Sequence, residues 1–246
     1  MVFLIEITSI FTYNIFIMIE KTKKIIEDET LLSKALPFID ASNPEFVFIP
    51  TINSRCNSFE LKIKPGDHVY LGQTIGSRKG PFFDQFIHST VSGTFVCLEK
   101  HGYKNGKAID FIKIKNDYLD KLDSSIKERT EEEIKLLTKE QFVEICRNCS
   151  LVGLGGSSFP TYIKLTTKDK ITTLVFNGVE CEPFINADHR LMIEESKKLI
   201  QGIKYLLKFF DCHKAIIVYK NKYKDQNLIK LLDTRLGMMA FLVKIK

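Results

Sequence analysis

Short runs of alternating apolar and polar residues fill the chain between about residues 44 and 115. The clearest runs are Phe46–Ile49, Phe59–Ile63, 68–76 and 88–96. Alternation with a period of two is typical of strands that bury one face. The second run leads into Lys64-Pro65-Gly66-Asp67, a type I or II turn with proline at its second position. This region is therefore predicted to be a small β domain.

Beyond residue 137 the spacing of the apolar residues becomes helical. Thr138-Lys-Glu-Gln141 is a capping-box pattern that predicts a helix to about residue 149. The further predicted elements are a strand at Ile171–Phe176, a helix at 190–210 capped by Asp188, a strand at Lys214–Tyr219 and a helix at 224–236. This alternation predicts a parallel βαβ sheet with a right-handed crossover. The charged residues 116–137 are predicted to be a linker that passes into a helix.

The first nineteen residues, MVFLIEITSIFTYNIFIMI, are long and apolar enough to raise the question of a membrane anchor. Glu6 and four uncharged polar residues weaken that interpretation. A secretory signal would begin with positive charge and end in small residues, which this segment does not. We favour an upstream extension that precedes a working start at Met18. Residues 1–43 are therefore assigned to an N-terminal extension, with membrane association as the alternative.

Composition indicates an ordinary globular chain. Its 246 residues are 44% hydrophobic and 27% charged, which excludes collagen-like, low-complexity and disordered classes and allows one large or two modest domains. The net charge of +6 is concentrated in residues 191–246, which hold 12 basic and 5 acidic residues. A nucleic-acid interface would interleave such charges with stacking aromatics. Most aromatics here fall at core positions, so no nucleic-acid partner is expected.

The cysteines and histidines predict no metal centre. Six cysteines in 246 residues are too few for a disulfide framework, so reduced thiols without a disulfide partner are expected. Cys146-Arg-Asn-Cys149 is the only C-x-x-C, and we interpret it as core packing, with a redox dithiol as the alternative. His189 and His213 have no partners at metal spacing and are expected to be solvated or to cap helices.

Two loops in the second half contain the candidate chemistry. Gly153–Thr161, with the sequence GLGGSSFPT, places three glycines in four residues, which lets a flat ring or a phosphate approach backbone N–H groups. Its spacing is not the dinucleotide fingerprint, and a purely structural turn is the alternative. Residues 177–190 follow the carboxyl end of a predicted strand, where open α/β sheets bind ligands. Their Asn, Glu and Asp side chains offer hydrogen-bond acceptors, and a solvated loop is the alternative.

The β domain resembles the barrel-sandwich hybrid of biotinyl and lipoyl carrier domains. The resemblance lies in I-K-P-G-D-x-V-x-x-G-Q-x-I-G at Ile63–Gly76, followed by S-x-V-S-G-T-F-V at Ser89–Val96. Such carriers need a modifiable lysine on an exposed hairpin tip, flanked in the biotin case by methionines. Lys79 has no such flanks, so we interpret it as a solvated lysine. A carrier or docking module without redox activity is the alternative function.

Together the two loops resemble the C subunit of the Rnf-type (Rsx) ion-translocating electron-transport complex, and more distantly the FMN- and NADH-binding subunit of respiratory complex I. The matching segments are GLGGSSFP, NGVECEP and DHRLM, and the resemblance covers about residues 44–220. It implies an α/β chain, with a barrel-sandwich hybrid domain at 44–115 and a Rossmann-like FMN- and NADH-binding domain at 138–246. It also implies a peripheral subunit on the cytoplasmic face of a membrane complex, passing electrons between NAD(H) and iron–sulfur partners.

The same resemblance implies which residues bind the cofactors. The glycine-rich loop would cradle FMN beside the NADH site, Lys164 would lie near the FMN phosphate, and Asn177 would bond the isoalloxazine edge. The implied cofactor-binding residues are Gly153, Gly155, Gly156, Ser157, Ser158, Lys164, Asn177, Glu180, Glu182 and Asp188. No residue is assigned a catalytic or metal-ligating role.

The sequence departs from the family pattern at two points. Ser158 stands where that pattern has a glycine, so a requirement for positive φ there would weaken FMN binding. No run resembles C-x-x-C-x-x-C-x-x-x-C-P, so the 4Fe-4S clusters expected of the family have no ligand motif in this sequence. The last residues, 235–246, also follow no family pattern, so the chain is expected to be truncated before the family's ferredoxin-like domain, with an incomplete FMN-binding domain. The isolated chain is then expected to reach at most a diaphorase-like NADH:FMN activity.

Overall fold

The fold is that of a computed structural model. It describes residues 37–40, 43–103, 106–153, 158–179 and 186–220, together with the backbone of strands at 2–6 and 240–245. The chain divides into two compact units. Residues 41–152 and 157–165 form the first, the sandwich unit; residues 1–40, 153–156 and 166–246 form the second, the parallel-sheet unit.

The described elements alternate between strand-rich and helical stretches. In chain order they are β1 (Val2–Glu6), β2 (Phe46–Pro50), β3 (Ser58–Leu61), β4 (His68–Val69), β5 (Thr74–Lys79), β6 (Asp84–His88), β7 (Gly93–Gly102), β8 (Ala108–Asn116), α1 (Glu131–Leu136), α2 (Lys139–Asn148), α3 (Thr161–Leu165), β9 (Thr173–Gly178), α4 (Ala187–Glu194), α5 (Ser196–Phe209), β10 (Ala215–Lys220) and β11 (Ala240–Ile245). The strands predicted at Phe46–Ile49 and Phe59–Ile63 are confirmed as β2 and β3.

Two antiparallel sheets build the sandwich unit. One has the strand order β2-β8-β7-β4 and the other has the order β3-β5-β6. Buried side chains from both sheets form a single core: Ile49, Val69, Ile75, Ile87, Val91, Phe95, Ile112 and Ile114. Most are β-branched, and such side chains favour extended backbone and pack well on a pleated surface. The residues that favour the strands therefore also fill the space between the two sheets.

The turn between β3 and β4 is the one predicted at residues 64–67. The Asp67 N–H donates to the Lys64 carbonyl at 3.0 Å, and the Asp67 carboxylate accepts from the Lys64 N–H at 2.9 Å. Gly66 has a φ of +94°. Positive φ at the third residue excludes type I and is the mark of type II, which explains the glycine at this position.

Two capped helices follow the strands of the sandwich unit. Thr130 and Thr138 each form a complete capping box, which confirms the helix predicted after Thr138 and places α1 inside the segment expected to be a linker. Both α2 and α3 belong to the sandwich unit. This unit therefore extends beyond residue 138, where the sequence predicts the second domain to begin.

Among its described residues, the parallel-sheet unit contains four strands in the order β1-β9-β10-β11, and every neighbouring pair is parallel. The strands predicted at 171–176 and 214–219 are confirmed as β9 and β10, each displaced by one or two residues. Leu174, Phe176 and Ile217 of these strands have no exposed surface. Helix α5 buries leucines and isoleucines spaced three and four residues apart, as expected of a helix with one apolar face.

The first strand lies inside the segment expected to be an extension or an anchor. Val2–Glu6 pairs in parallel with residues 173–177 of β9. Residues 7–36 of that segment lie outside the described residues, as does the helix predicted at 224–236. Within the described ranges, every helix is too short or too polar to cross a bilayer.

The prediction of one continuous helix at 190–210 is wrong, because the structure has two helices in this segment. Glu195, with φ −113° and ψ 24°, interrupts the helical backbone and separates α4 from α5. The expectation that Asp188 caps this helix is also wrong. The helix starts earlier, at Ala187, so Asn186 is the N-cap residue and Asp188 lies in the first turn. A carboxylate there is favoured by the positive end of the helix dipole.

Asp117 joins three segments of the sandwich unit. Its Oδ1 accepts hydrogen bonds from Ser92 Oγ at 2.6 Å and from the Leu119 N–H at 2.9 Å, and its Oδ2 lies 3.0 Å from Nε2 of His68. These interactions, that with Ser92 foremost, lower the pKa of the Asp117 carboxyl to about 2.

We predict that Asp117 stabilises the fold above about pH 4 and ceases to do so as the pH falls toward about 2. Because the carboxyl has the higher pKa in the unfolded chain, acid protonates the unfolded state first and lowers the free energy of unfolding. Urea unfolding of the wild type and Asp117→Asn across this range tests the effect. The difference in stability should be largest near neutral pH and shrink in acid; a constant difference would contradict the prediction.

Candidate functional site

The glycine-rich loop has a closed base. We call residues 148–152 its leading limb and residues 158–161 its trailing limb. Val152 and Pro160 form an antiparallel bridge across the two limbs. The Thr161 N–H donates to the Leu151 carbonyl at 2.8 Å, and the Leu151 N–H donates to the Cys146 carbonyl at 3.0 Å. These bonds fix the distance between the two ends of the loop.

Each limb contains a serine in the left-handed backbone region. Ser150 has a φ of +50° and Ser158 a φ of +49°. A residue with a Cβ loses about 1 to 2 kcal/mol in this region, which glycine occupies freely. Position 158 therefore does adopt the positive φ that the sequence raised as a concern. Because the residue there is serine and not glycine, this conformation costs energy.

Aromatic and cationic side chains surround the trailing limb. The Phe159 ring lies edge-on to Phe83 with 6.1 Å between centroids. The guanidinium of Arg55 and the ammonium of Lys164 lie 5.6 and 6.0 Å from the Phe159 centroid. Arg147 lies 5.7 Å from the ring of Tyr162 in α3. Three cations thus lie along the trailing limb and α3, an electrostatic setting that favours an anionic group.

Some of the implied cofactor-binding residues belong to the parallel-sheet unit. Asn177 lies near the carboxyl end of β9, as predicted, and its Oδ1 accepts from the Val179 N–H at 3.0 Å. Asp188 is half-buried in α4, and Gly153 is buried. Ser158 and Lys164 belong to the sandwich unit. The remaining implied residues, Gly155, Gly156, Ser157, Glu180 and Glu182, lie outside the described residues.

Sequence reasoning missed a polar cluster beneath the trailing limb. Gln85 is 4% exposed, and its Oε1 accepts from Nδ2 of Asn53 at 2.7 Å. Its Nε2 lies 3.5 Å from the carbonyl oxygen of Ser158. The available signal was the alternation in β6, because Gln85 and Ile87 share the buried face of that strand. A polar residue at a core position needs a hydrogen-bond partner.

The predicted roles of the other candidates have mixed outcomes. Cys146 is 5% exposed, and burial raises the pKa of its thiol to about 12, which confirms the core-packing interpretation for this residue. Cys149 is exposed, so the same interpretation is wrong for it. His189 is 1% exposed, so the expectation that it is solvated is wrong. Lys79 is half-exposed and pairs with Glu60 at 3.1 Å, as expected of a surface lysine. The described ranges contain no group of three or more His, Cys, Asp or Glu side chains arranged to hold a metal ion.

Curated proteins similar to this chain are C subunits of redox complexes. A protein of Acetobacterium woodii, named as the C subunit of a Na(+)-translocating ferredoxin:NAD(+) oxidoreductase complex, is 32% identical over 85% of this chain and 48% of its own length. A protein of Clostridium ljungdahlii, named as the C subunit of a proton-translocating ferredoxin:NAD(+) oxidoreductase complex, is 30% identical over 79% of this chain and 42% of its own. The C subunit of an ion-translocating oxidoreductase complex from Salmonella gallinarum is 31% identical over 64% and 23%.

Two family models match successive parts of the chain. The model described as "RnfC Barrel sandwich hybrid domain" matches residues 25–118, and the one described as "Nuo51 FMN-binding domain" matches residues 146–234. This chain belongs to the RnfC family. All ten implied cofactor-binding residues fall within the second match. The RnfC chain spans about half the length, or less, of the curated relatives named above.

We predict that Ser158→Gly stabilises this RnfC chain by about 0.5 to 1 kcal/mol, because relief of the left-handed strain exceeds the entropy that glycine adds to the unfolded state. The matched control is Ser77→Gly in β5, which removes the same atoms from a strand residue without positive φ. It should destabilise the protein by about 0.5 to 1 kcal/mol. Urea denaturation measures both, and equal destabilisation at the two positions would contradict the prediction.

Proposed function

We propose that this RnfC chain is the NADH- and FMN-binding electron-transfer subunit of a membrane ion-translocating oxidoreductase complex, bound peripherally at its cytoplasmic face. The main support is the coincidence of two observations in one segment. The FMN-binding model matches residues 146–234, and within that range the limbs of the glycine-rich loop are bridged at their base, with Ser158 in the left-handed region.

The described residues are chemically suited to FMN. Lys164 and Arg55 place positive charge beside the trailing limb, and cations of this kind stabilise a phosphate group. A left-handed residue at a glycine-rich turn contributes to the backbone concavities in which N–H groups bind anions. In this proposal the flavin is lined by Gly153, Gly155, Gly156, Ser157 and Ser158, with Lys164 toward its phosphate.

The loop at residues 177–190 would contact the isoalloxazine ring of the FMN. Asn177 would donate from its amide nitrogen to the isoalloxazine edge, since its Oδ1 already accepts from the Val179 N–H. Glu180 and Glu182 would face the flavin and the nicotinamide, and Asp188 in the first turn of α4 would complete the implied set. Carboxylates there disfavour an anionic reduced flavin. We therefore propose that the parallel-sheet unit is a Rossmann-like FMN- and NADH-binding domain.

When bound, FMN supplies the capacity to take two electrons from NADH as a hydride and to release them singly. The chain's own residues hold the two cofactors and set the charge around them. The relatives from Acetobacterium woodii and Clostridium ljungdahlii are named as subunits of ferredoxin:NAD(+) oxidoreductase complexes. By analogy we propose that the partners of this chain are the other subunits of such a complex, including those that hold 4Fe-4S clusters.

We predict that the purified chain, reconstituted with FMN, retains flavin through gel filtration and that anaerobic NADH bleaches the flavin absorbance. Heat-denatured chain carried through the same steps is the control for adventitious flavin. Absence of retained flavin in both the wild type and Ser158→Gly would contradict the proposal. Intact-mass measurement of the same sample tests the carrier alternative, which requires added mass on Lys79 and no flavin.

We predict that Lys164→Gln weakens FMN binding by about tenfold through loss of attraction to the phosphate, and weakens riboflavin binding much less. The matched control is Lys100→Gln, an exposed lysine of β7 in the sandwich unit, which should leave both affinities unchanged. Quenching of flavin fluorescence measures both ligands. Equal loss of FMN and riboflavin affinity would remove Lys164 from the phosphate site.

A further inference from the structure

Strand β6 forms one edge of the three-stranded sheet, since the strand order is β3-β5-β6. An edge strand presents backbone N–H and C=O groups that have no partner within their sheet. Proteins cover such an edge with other chain segments or protect it with charges and bulges.

The two limbs of the glycine-rich loop lie along this edge. On the leading limb, Ser150 Oγ donates to the Phe86 carbonyl at 3.0 Å. On the trailing limb, Gln85 Nε2 donates to the Ser158 carbonyl at 3.5 Å. Both limbs are thus held by residues of the same strand.

The Gln85 side chain is itself held in place. Its Oε1 accepts from Asn53 Nδ2 at 2.7 Å, while the Oδ1 of Asn53 accepts from the N–H groups of Arg55 and Cys56, each at 2.8 Å. Gln85 is almost completely buried, so rotation of its amide would break its hydrogen bonds to Asn53 and Ser158, and no water could replace them. The amide nitrogen is therefore directed at the trailing limb.

The residues that β6 contacts in the two limbs include Ser150 and Ser158, the same two that adopt left-handed backbone conformations. Non-glycine residues persist in this region only where their surroundings hold them there. The contacts from β6 supply that support on both sides of the loop.

We infer that the β6 edge of the sandwich unit is the anchor for the glycine-rich loop, and that Gln85 and Ser150 are positioning residues for its two limbs. The anchor is defined by the contact of Gln85 with Ser158 and the contact of Phe86 with Ser150. The expected effect of the anchor on FMN binding rests on the proposed function. The contacts between β6 and the two limbs do not depend on that function. The sandwich unit would then set the geometry of the two limbs of the glycine-rich loop, both of which belong to it.

Amide hydrogen exchange of the full chain without added flavin tests the anchor. Gln85→Leu and Ser150→Ala should each accelerate exchange in peptides covering 149–161 by about threefold to tenfold, the effect of losing one hydrogen bond. Peptides from β8 should exchange at the wild-type rate. The matched controls are Gln73→Leu, which removes a glutamine that accepts from the Tyr70 N–H elsewhere in the same unit, and Ser58→Ala at the start of β3. They should leave the loop peptides unchanged.

FMN titration of the same variants separates this inference from the proposed function. Faster loop exchange together with weaker FMN binding in Gln85→Leu and Ser150→Ala supports both. Faster loop exchange, together with no retained FMN in either the wild type or Ser158→Gly, supports the anchor and overturns the proposed function. Wild-type loop exchange in Ser150→Ala and in a folded Gln85→Leu overturns the anchor, whatever the flavin affinity. If Gln85→Leu does not fold, Ser150→Ala decides.

Discussion

Burial of apolar side chains between the two antiparallel sheets is the constraint on which the sandwich unit depends. Ile87 of β6 is 1% exposed in a core that also contains Ile112 and Ile114 of the opposite sheet. Each such side chain contributes about 1.5 to 3 kcal/mol on leaving water. Because alternate residues of a strand share a face, burial of Ile87 also directs Gln85 inward. The burial of Ile87 thereby determines where a polar group meets the glycine-rich loop.

Local patterns in the sequence were enough to predict the strands β2, β3, β9 and β10 and the helix α2. Alternation located β2 and β3, and the residues of a capping box located α2 at Thr138. These signals succeed because they describe interactions between residues close in the chain. The break at Glu195 and the early start of α4 were missed, since a run of helix-forming residues does not reveal where tertiary packing ends one helix and starts another.

At the candidate site, too, the sequence predicted features that depend on neighbouring residues and missed contacts between residues far apart in the chain. The glycine-rich motif predicted a loop, and the family resemblance identified Ser158 as the position sensitive to positive φ, which the structure shows at +49°. The contacts of Ser158 with Gln85 and of Ser150 with Phe86 join residues more than sixty positions apart. A single sequence offers only a weak signal for such pairs, namely a polar residue in a strand position that alternation assigns to the core.

The pairing of β1 with β9 has a consequence for biosynthesis. Val2 and Thr173 are partners although roughly 170 residues separate them, whereas all strands of the sandwich unit lie between Phe46 and Asn116. During synthesis all the described sandwich strands leave the ribosome before β9 does. Because domains made earlier fold as they emerge, the sandwich unit can fold before β9 is available. Strand β1 must therefore remain without its partner β9 while the sandwich strands, which follow it in the chain, complete their own fold. Closing so long a loop is slow, so assembly of the parallel sheet is expected to be the late event in folding.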